Sequence, residues 1–137
     1  MPSVSSRETS RKIISGEIPC HKIAENDDFL AFLDIMPLRK GHALVIPKKE
    51  TDYIFDMEDA ELAAMMIFAK SVSHKIKKVF PCRKIGVTVI GLEVPHAHIH
   101  LIPINGIADM NFSREKLSLS QEELAQFIEL DRKLNAI

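Results

Sequence analysis

Three histidines at alternate positions form the part of the sequence best suited to chemistry. The segment PHAHIHLIP (residues 95–103) contains His96, His98 and His100, separated by single apolar residues. Successive side chains of a strand point to opposite faces, so the three imidazoles are predicted to line one surface, roughly 6.6 Å apart. The alternate positions, expected to face the core, are Ala97, Ile99 and Leu101.

This histidine pattern has three interpretations. The side chains could occupy a solvated strand face, where Asn, Thr or Lys would serve equally well. They could bind zinc together with His42, with Glu93 as the one obvious nearby carboxylate to support the ligands. They could also attack phosphorus, because a neutral imidazole with an ordinary pKa of about 6.5 is a nucleophile at pH 7. Protonated neighbouring imidazoles would then neutralise the phosphoryl oxygens.

Short strands are predicted to position these histidines. Residues 21–26 and 28–34 alternate apolar and polar side chains and predict a hairpin with its turn at residues 26–28. Residues 42–47 predict a buried strand that begins at His42 and ends at a proline. Residues 83–90 and 94–104 predict two more strands, of which the second carries the three histidines.

Helical periodicity appears in three places. Residues 58–80 predict one long helix, with acidic side chains at its start, lysines at its end and Pro81 after it. Residues 9–15 predict a short helix that ends at Gly16. Ser120 and Glu123 have capping-box spacing before an apolar series that predicts a C-terminal helix. This series consists of Leu124, Phe127, Ile128, Leu130 and Leu134.

The order of these elements predicts an α+β fold with a mostly antiparallel sheet, because hairpin-length connections occur beside one long helix. The 137 residues are enough for one domain. Residues 1–8 are predicted to form a disordered leader and residues 9–106 the main body. Residues 107–137 are predicted to form a C-terminal extension with a helix, within the same domain.

Charge and hydropathy exclude some partners. The 18 basic and 19 acidic residues give a net charge of −1, which argues against a surface for binding nucleic acid. No apolar run approaches the roughly 20 residues that a membrane span needs. The protein is therefore expected in the cytoplasm, without a nucleic-acid or membrane partner. Cys20 and Cys82 form no CxxC pair and are expected to be reduced.

The histidine segment resembles the signature of the histidine triad (HIT) family of nucleotide hydrolases and transferases, in which three histidines alternate with apolar residues. Three further blocks resemble this family in the same order along the chain. They read KIISGEIP (residues 12–19), LAFLDI (residues 30–35) and GHALVIPK (residues 41–48). The likeness covers about residues 10–104 and is nearest in layout to the histidine triad nucleotide-binding branch.

The resemblance implies roles for individual residues. His98 would attack the α-phosphorus and form a nucleotidyl-histidine intermediate, oriented by His96. His100 and His42 would contact phosphate oxygens and assist the leaving group, and Asp34 would accept hydrogen bonds from the ribose hydroxyls. The nucleobase pocket would be lined by Ile13, Phe32 and Ile35. Without the resemblance, these apolar residues are equally typical of a core and the carboxylate of a turn cap.

The sequence departs from the family pattern in two places. Relatives often carry an apolar residue and Phe before the first helix, where this chain has Thr9 and Ser10. They also have a longer loop before the triad, whereas residues 91–95 are short here and include Glu93. A carboxylate there repels phosphate unless it is protonated, turned away or paired with a cationic leaving group. Zinc-bearing relatives use an N-terminal CxxC, which is absent, so no metal or cofactor is expected.

Three functions follow. The first is hydrolysis at the α-phosphate of a purine nucleoside phosphoramidate, a dinucleoside polyphosphate or a related conjugate. The second is binding of a purine mononucleotide with little turnover, and the third is metal-dependent hydrolysis by the histidines. The resemblance also implies a homodimer. Residues 58–80 could supply its interface through Met65, Met66 or Phe68, although burial within one monomer explains the same residues.

Overall fold

The structure, a computed structural model, describes residues 7–17, 20–92, 95–113 and 115–135. Within these ranges five strands form one antiparallel sheet in the order β1-β2-β3-β5-β4. The strands are β1 (Lys22–Glu25), β2 (Phe29–Leu33), β3 (Ala43–Pro47), β4 (Lys84–Thr88) and β5 (Ile99–Ile104). The helices are α1 (Arg7–Ser15), α2 (Asp59–Val79) and α3 (Gln121–Asn135). The predicted α+β fold with an antiparallel sheet is confirmed.

The two faces of the sheet carry different groups. One face packs under α2, where Met65, Ala69 and Val72 lie in a core cluster with Ile99 and Leu101. The other face contacts α1 through a second apolar cluster, which consists of Ile13, Leu30, Phe32, Leu44 and Ile46. The strand register places His100 on this second face.

One row of paired residues crosses the second face. Phe32 of β2 pairs with Leu44 of β3, Leu44 pairs with His100 of β5, and His100 pairs with Thr88 of β4. Neighbouring strands lie about 4.8 Å apart, so the backbones at Phe32 and His100 are separated by roughly 10 Å. The apolar end of the face and the histidine end are thus two strand spacings apart.

The predicted β1–β2 hairpin is present, and its turn has a local cause. The Oδ1 of Asn26 accepts hydrogen bonds from the backbone N–H groups of Asp28 and Phe29, at 2.9 and 2.8 Å. An Asn side chain that bonds to the backbone just after it stabilises a tight turn. The turn fixes the register that brings the apolar residues of β2 into the sheet.

Two predicted boundaries differ from the structure. Helix α1 begins at Arg7, so two residues assigned to the leader are helical, while residues 1–6 lie outside the described ranges. Strand β5 begins at Ile99, although a strand was expected from residue 94. His96 and His98 therefore precede the ladder, and only His100 of the three histidines belongs to it.

Helix α2 confirms the predicted long helix and separates the three residues named for an interface. Met65 is completely buried in the core of its own monomer, and Phe68 is half-buried against that core. Met66, the third, is exposed, as is the neighbouring Ile67. The outward face of α2 thus includes one of the three residues named. No helix within the described ranges is long and apolar enough to cross a bilayer.

The C-terminal helix starts as its capping-box spacing predicts. The backbone N–H of Glu123 donates to Oγ of Ser120 at 3.0 Å, and that hydroxyl lies 3.3 Å from the Glu123 carboxylate. Leu124 is buried, and Phe127 packs edge-on against Phe80 at the end of α2, with ring centroids 4.7 Å apart. Of the other predicted apolar positions, Ile128 is half-buried and Leu130 is exposed, while the side chain of Leu134 lies outside the described part of the structure.

Candidate active site

His98 is held in one tautomer by the backbone before it. Its Nδ1 lies 2.8 Å from the carbonyl oxygen of His96. Because a carbonyl only accepts, Nδ1 must carry the proton, and Nε2 of the neutral ring keeps its lone pair. The ring is 8% exposed, so the side chain is fixed but still reaches the surface. His98 is therefore arranged as a nucleophile or a base at Nε2.

His42 and His100 form a second, directional arrangement. The backbone N–H of Leu38 donates to Nδ1 of His42 at 3.0 Å, so this histidine carries its proton on Nε2. Nε2 of His42 lies 2.9 Å from Nδ1 of His100 and donates to it. The proton of His100 is then on Nε2. An unambiguous backbone donor therefore sets the tautomers of both rings and makes Nε2–H of His100 a donor.

Both members of this pair are neutral at pH 7. Burial, together with the positive charge of Lys116 and the nearby His98, lowers the pKa of His42 to about 3. Burial and the two neighbouring histidines likewise lower the pKa of His100 to about 3, against a smaller raising effect of Asp34. The expectation that protonated neighbours neutralise a phosphate is therefore wrong for these two rings, which are uncharged and of which His100 has an N–H to offer.

The loop that carries His42 is fixed by its own hydrogen bonds. The N–H of Asp34 donates to the carbonyl of His42 at 2.9 Å, and Oδ1 of Asp34 accepts from Met36 N–H at 2.9 Å. Gly41 has a φ of +91°, and a Cβ there would lie 2.6 Å from the ring of Phe80. Only glycine fits this position without strain. The loop thereby turns His42 inward and places Oδ2 of Asp34 3.8 Å from its Nε2.

His96 has a different environment from the other two triad histidines. It is 1% exposed, and its Nε2–H donates to the carbonyl of Pro47 at 2.7 Å. The N–H of Ala97 donates to the carbonyl of Thr51 at 2.6 Å. These bonds tie the segment before β5 to the end of β3 and to the loop after it, and the strand itself begins at Ile99. His96 orients His98 through its backbone carbonyl.

The structure brings most of the predicted site residues to one face. His98 and His100 have ring centroids 4.8 Å apart, and His42 lies beyond His100 at 5.2 Å. His42 uses both ring nitrogens within the protein, so it reaches a phosphate only through His100. Ile13 and Phe32 are buried together at the other end of the same face, while Ile35 is half-buried.

Sequence reasoning missed two residues at this site. The ring of Phe112 meets His100 edge-on with centroids 4.9 Å apart and lies 6.2 Å from His42. Lys116 is exposed, and its charge acts on both of those histidines. Neither belongs to a motif that marks the site in the sequence. Their effects on the histidines depend on where the chain after β5 lies, which a pattern of residue types does not encode.

Two other expectations concern charge and metal. Glu93, whose carboxylate was expected to repel a phosphate, lies outside the described residues. Within the described ranges, no three side chains of His, Cys, Asp or Glu come together as a metal site. The lone pair of His42 Nδ1, which a metal would need, already accepts the Leu38 N–H.

The neutral histidine pair predicts a fold that is sensitive to acid. Both groups have pKa values of about 3 in the folded chain, against about 6.5 when unfolded, so the unfolded chain binds more protons below pH 6.5. The free energy of unfolding should therefore fall between pH 7 and 5, by at most about 1.4 kcal/mol per pH unit for each histidine. Urea titrations at several pH values measure this. His100→Asn should flatten the dependence, and an unchanged slope would count against the assignment.

Comparison with known proteins places this geometry in a family. The model of the HIT domain matches residues 15–106, which include the hairpin, the loop with His42 and the histidine segment. The chain belongs to the HIT family. The matched range contains the three alternating histidines, His96, His98 and His100.

Relatives of this HIT protein include both uncharacterized and named members. An uncharacterized HIT-like protein of Borreliella burgdorferi is 35% identical over 123 residues, covering 84% of this chain and 88% of the relative. The protein named adenosine 5'-monophosphoramidase hnt1 of Schizosaccharomyces pombe is 39% identical over 93 residues, covering 67% of this chain and 70% of its own length. The likeness thus extends to a relative named for an activity on a nucleotide.

Solved structures agree with the fold of this HIT protein. A Hit-like protein of Bartonella henselae, described as involved in cell-cycle regulation, superposes with a TM-score of 0.74 at 31% identity, covering 89% of this chain and 92% of its own. A hypothetical histidine triad nucleotide-binding protein of Sulfolobus tokodaii superposes with a TM-score of 0.75 at 26% identity, covering 91% of this chain and 89% of its own.

Proposed function

We propose that this HIT protein hydrolyses nucleotide conjugates at the α-phosphorus, with His98 as nucleophile. The observation that carries the proposal is the hydrogen bond from Nδ1 of His98 to the carbonyl of His96, which places the proton of the neutral ring on Nδ1 and its lone pair on Nε2. Family membership and the relative named adenosine 5'-monophosphoramidase support a nucleoside phosphoramidate as one substrate. Dinucleoside polyphosphates and related conjugates are the other substrate class.

In the first step, the lone pair of His98 Nε2 forms a bond to the α-phosphorus. The bond from phosphorus to the leaving group breaks, and the leaving group departs with that electron pair and takes up a proton from water, which the second step returns. The imidazole becomes positively charged as it is nucleotidylated, and the carbonyl of His96 stabilises this charge through the Nδ1–H bond. His100 donates Nε2–H to a phosphoryl oxygen, where negative charge must be held.

In the second step, water attacks the same phosphorus. An oxygen–phosphorus bond forms, the Nε2–phosphorus bond breaks, and the nucleoside monophosphate leaves while one proton of the water is released. His98 returns to its starting tautomer because the His96 carbonyl holds Nδ1–H throughout. Dividing the displacement into two steps is the advantage of a covalent intermediate.

The rest of the nucleotide lies along the row of residues across the sheet. Asp34, at the start of the His42 loop, accepts hydrogen bonds from the ribose hydroxyls through its carboxylate. The base contacts the apolar end of the face, where Ile13 and Phe32 belong to one cluster and Ile35 is half-buried. The separation of roughly 10 Å between Phe32 and His100 suits a base at one end and a phosphate at the other.

A panel of substrates tests this function. Adenosine 5'-phosphoramidate and a diadenosine polyphosphate are incubated with the purified protein, and release of AMP is followed with and without a chelator. The proposal predicts release of AMP that the chelator leaves unchanged. Tight binding of AMP without hydrolysis of any conjugate would favour the binding module, and loss of activity on chelation would favour metal-dependent hydrolysis.

The protein acts as a homodimer in this proposal. Strand β4 is an edge of the sheet, and Val87 on it is 51% exposed, while Ile67 on the outward face of α2 is 71% exposed. An unpaired edge beside exposed apolar side chains is typical of a surface that pairs with another chain. Two copies would pair their β4 edges and cover these residues.

The Ile67→Glu variant is expected to shift the protein from dimer to monomer, because a carboxylate buried at the interface lacks a partner. Light scattering after size-exclusion chromatography measures the mass. Leu130→Glu changes an exposed apolar residue on α3 in the same way and should leave the dimer intact. A wild-type monomer, or a dimer that survives Ile67→Glu, would refute this interface.

A further inference from the structure

The segment after β5 returns to the histidines and is anchored there. The backbone N–H of Leu117 donates to the carbonyl of Pro37 at 2.8 Å. Pro37 precedes Leu38, whose own N–H holds His42 in its tautomer. Residues near 117 are therefore fixed against the loop that positions the candidate site.

Phe112 provides a second anchor for the same segment. Its half-buried ring packs edge-on against the imidazole of His100, with an interplanar angle of 74°, and lies nearly perpendicular to His42 at 88°. Edge-to-face packing of this kind is favourable between aromatic rings. Lys116 lies between these two anchors along the chain, its side chain is exposed, and its charge acts on both His42 and His100.

The two buried histidines of the site supply no positive charge for an anion. Burial keeps the pKa values of His42 and His100 near 3, so His100 offers a neutral N–H group and His42 is bonded to His100. Asp34, the acidic group of the His42 loop, adds no cation. The charge of Lys116 reaches both histidines, since it contributes to lowering the pKa of each. A phosphate bound there would thus meet a cation from the C-terminal segment.

We infer that Lys116, held by the Phe112 and Leu117 anchors, is the residue that pairs with the phosphate charge of the bound nucleotide. This inference rests on the proposed function, because it concerns the same nucleotide site. It makes the C-terminal segment part of that site. Lys116 contributes to binding of the anionic part of the ligand and leaves the nucleoside part to Asp34 and the apolar cluster.

Binding of AMP and of adenosine separates these contributions. In Lys116→Met, the dissociation constant of AMP, measured by calorimetry at low ionic strength, should rise about fivefold, as for an exposed ion pair at the upper end of its range. The dissociation constant of adenosine, which has no phosphate, should stay within about twofold. Added salt should weaken AMP binding more in the wild type than in the variant, since salt screens the pair.

Two control variants complete the experiment. Lys116→Arg keeps the charge and should restore AMP binding, whereas Lys133→Met removes an exposed lysine from α3 and should change neither ligand. AMP binding that is equal in Lys116→Met and wild type would overturn this inference while leaving the proposed function in place. A wild-type protein that binds neither AMP nor adenosine would instead overturn the proposed function.

Discussion

Replacement of His98 by alanine is expected to abolish hydrolysis of nucleotide conjugates while binding of AMP remains. The variant lacks the ring whose Nδ1–H is bonded to the His96 carbonyl and whose Nε2 presents the lone pair. Without that lone pair, the bond to phosphorus cannot form in the first step. Loss of a covalent nucleophile reduces kcat by about 10⁴-fold or more. The donor Nε2–H of His100 does not depend on His98 and should keep AMP affinity within about threefold. Steady-state kinetics and calorimetry measure the two quantities.

The matched control for this variant is His74→Ala, which removes an exposed imidazole from α2. It should leave both kcat and AMP affinity unchanged. Substantial turnover by His98→Ala on every conjugate of the panel would show that another group attacks the phosphorus. Loss of AMP binding along with turnover would instead indicate a structural role for the ring, and circular dichroism would check the fold.

The second large effect is expected from His42→Ala, although His42 does not reach the phosphate. The substitution leaves the Leu38 N–H and Nδ1 of His100 without their present partners. His100 is then free to place its proton on Nδ1 as well, and molecules that do so lack the Nε2–H donor. Loss of a residue that orients a catalytic group reduces activity by on the order of 100-fold. Loss of the two hydrogen bonds made by the buried His42 ring costs about 1–3 kcal/mol of stability.

His42→Gln distinguishes orientation from packing. A glutamine carbonyl can accept from the Leu38 N–H while its amide donates to His100, so the variant should recover at least part of kcat. KM should change less than kcat, because the donor matters most when charge develops on the phosphoryl group. If His42→Ala keeps full kcat and loses only stability, the hydrogen-bonded pair has no part in the reaction.

Much of this fold is already encoded in local sequence patterns. The hairpin turn follows from Asn26, whose side chain bonds to the next backbone groups, and the start of α3 follows from Ser120 and Glu123. The burial of Ala97 and Ile99 under α2 follows from their alternation with the histidines. These features depend on residues near one another in the chain, which is why residue types and spacing predict them.

The site itself depends on contacts that the sequence does not reveal. Regular alternation predicts three equivalent imidazoles. In the structure His96 is buried and donates a hydrogen bond to the carbonyl of Pro47, and the strand begins only at Ile99. His42 is neutral mainly because it is buried, and the Leu38 N–H sets its tautomer. Both depend on the fold of the loop that carries His42, which is far from the triad along the chain. The packing of Phe112 on His100 likewise requires the chain to return over the sheet.

The most direct test of the account is to trap the intermediate. Wild-type protein is mixed with adenosine 5'-phosphoramidate, quenched in base within milliseconds to seconds, digested and mapped by mass spectrometry. The account predicts an adenylyl group on the peptide that contains His98, attached to this histidine, present during turnover and absent from His98→Ala. Turnover at full rate with no adduct at any time, or with the adduct on a different residue, would contradict attack by His98.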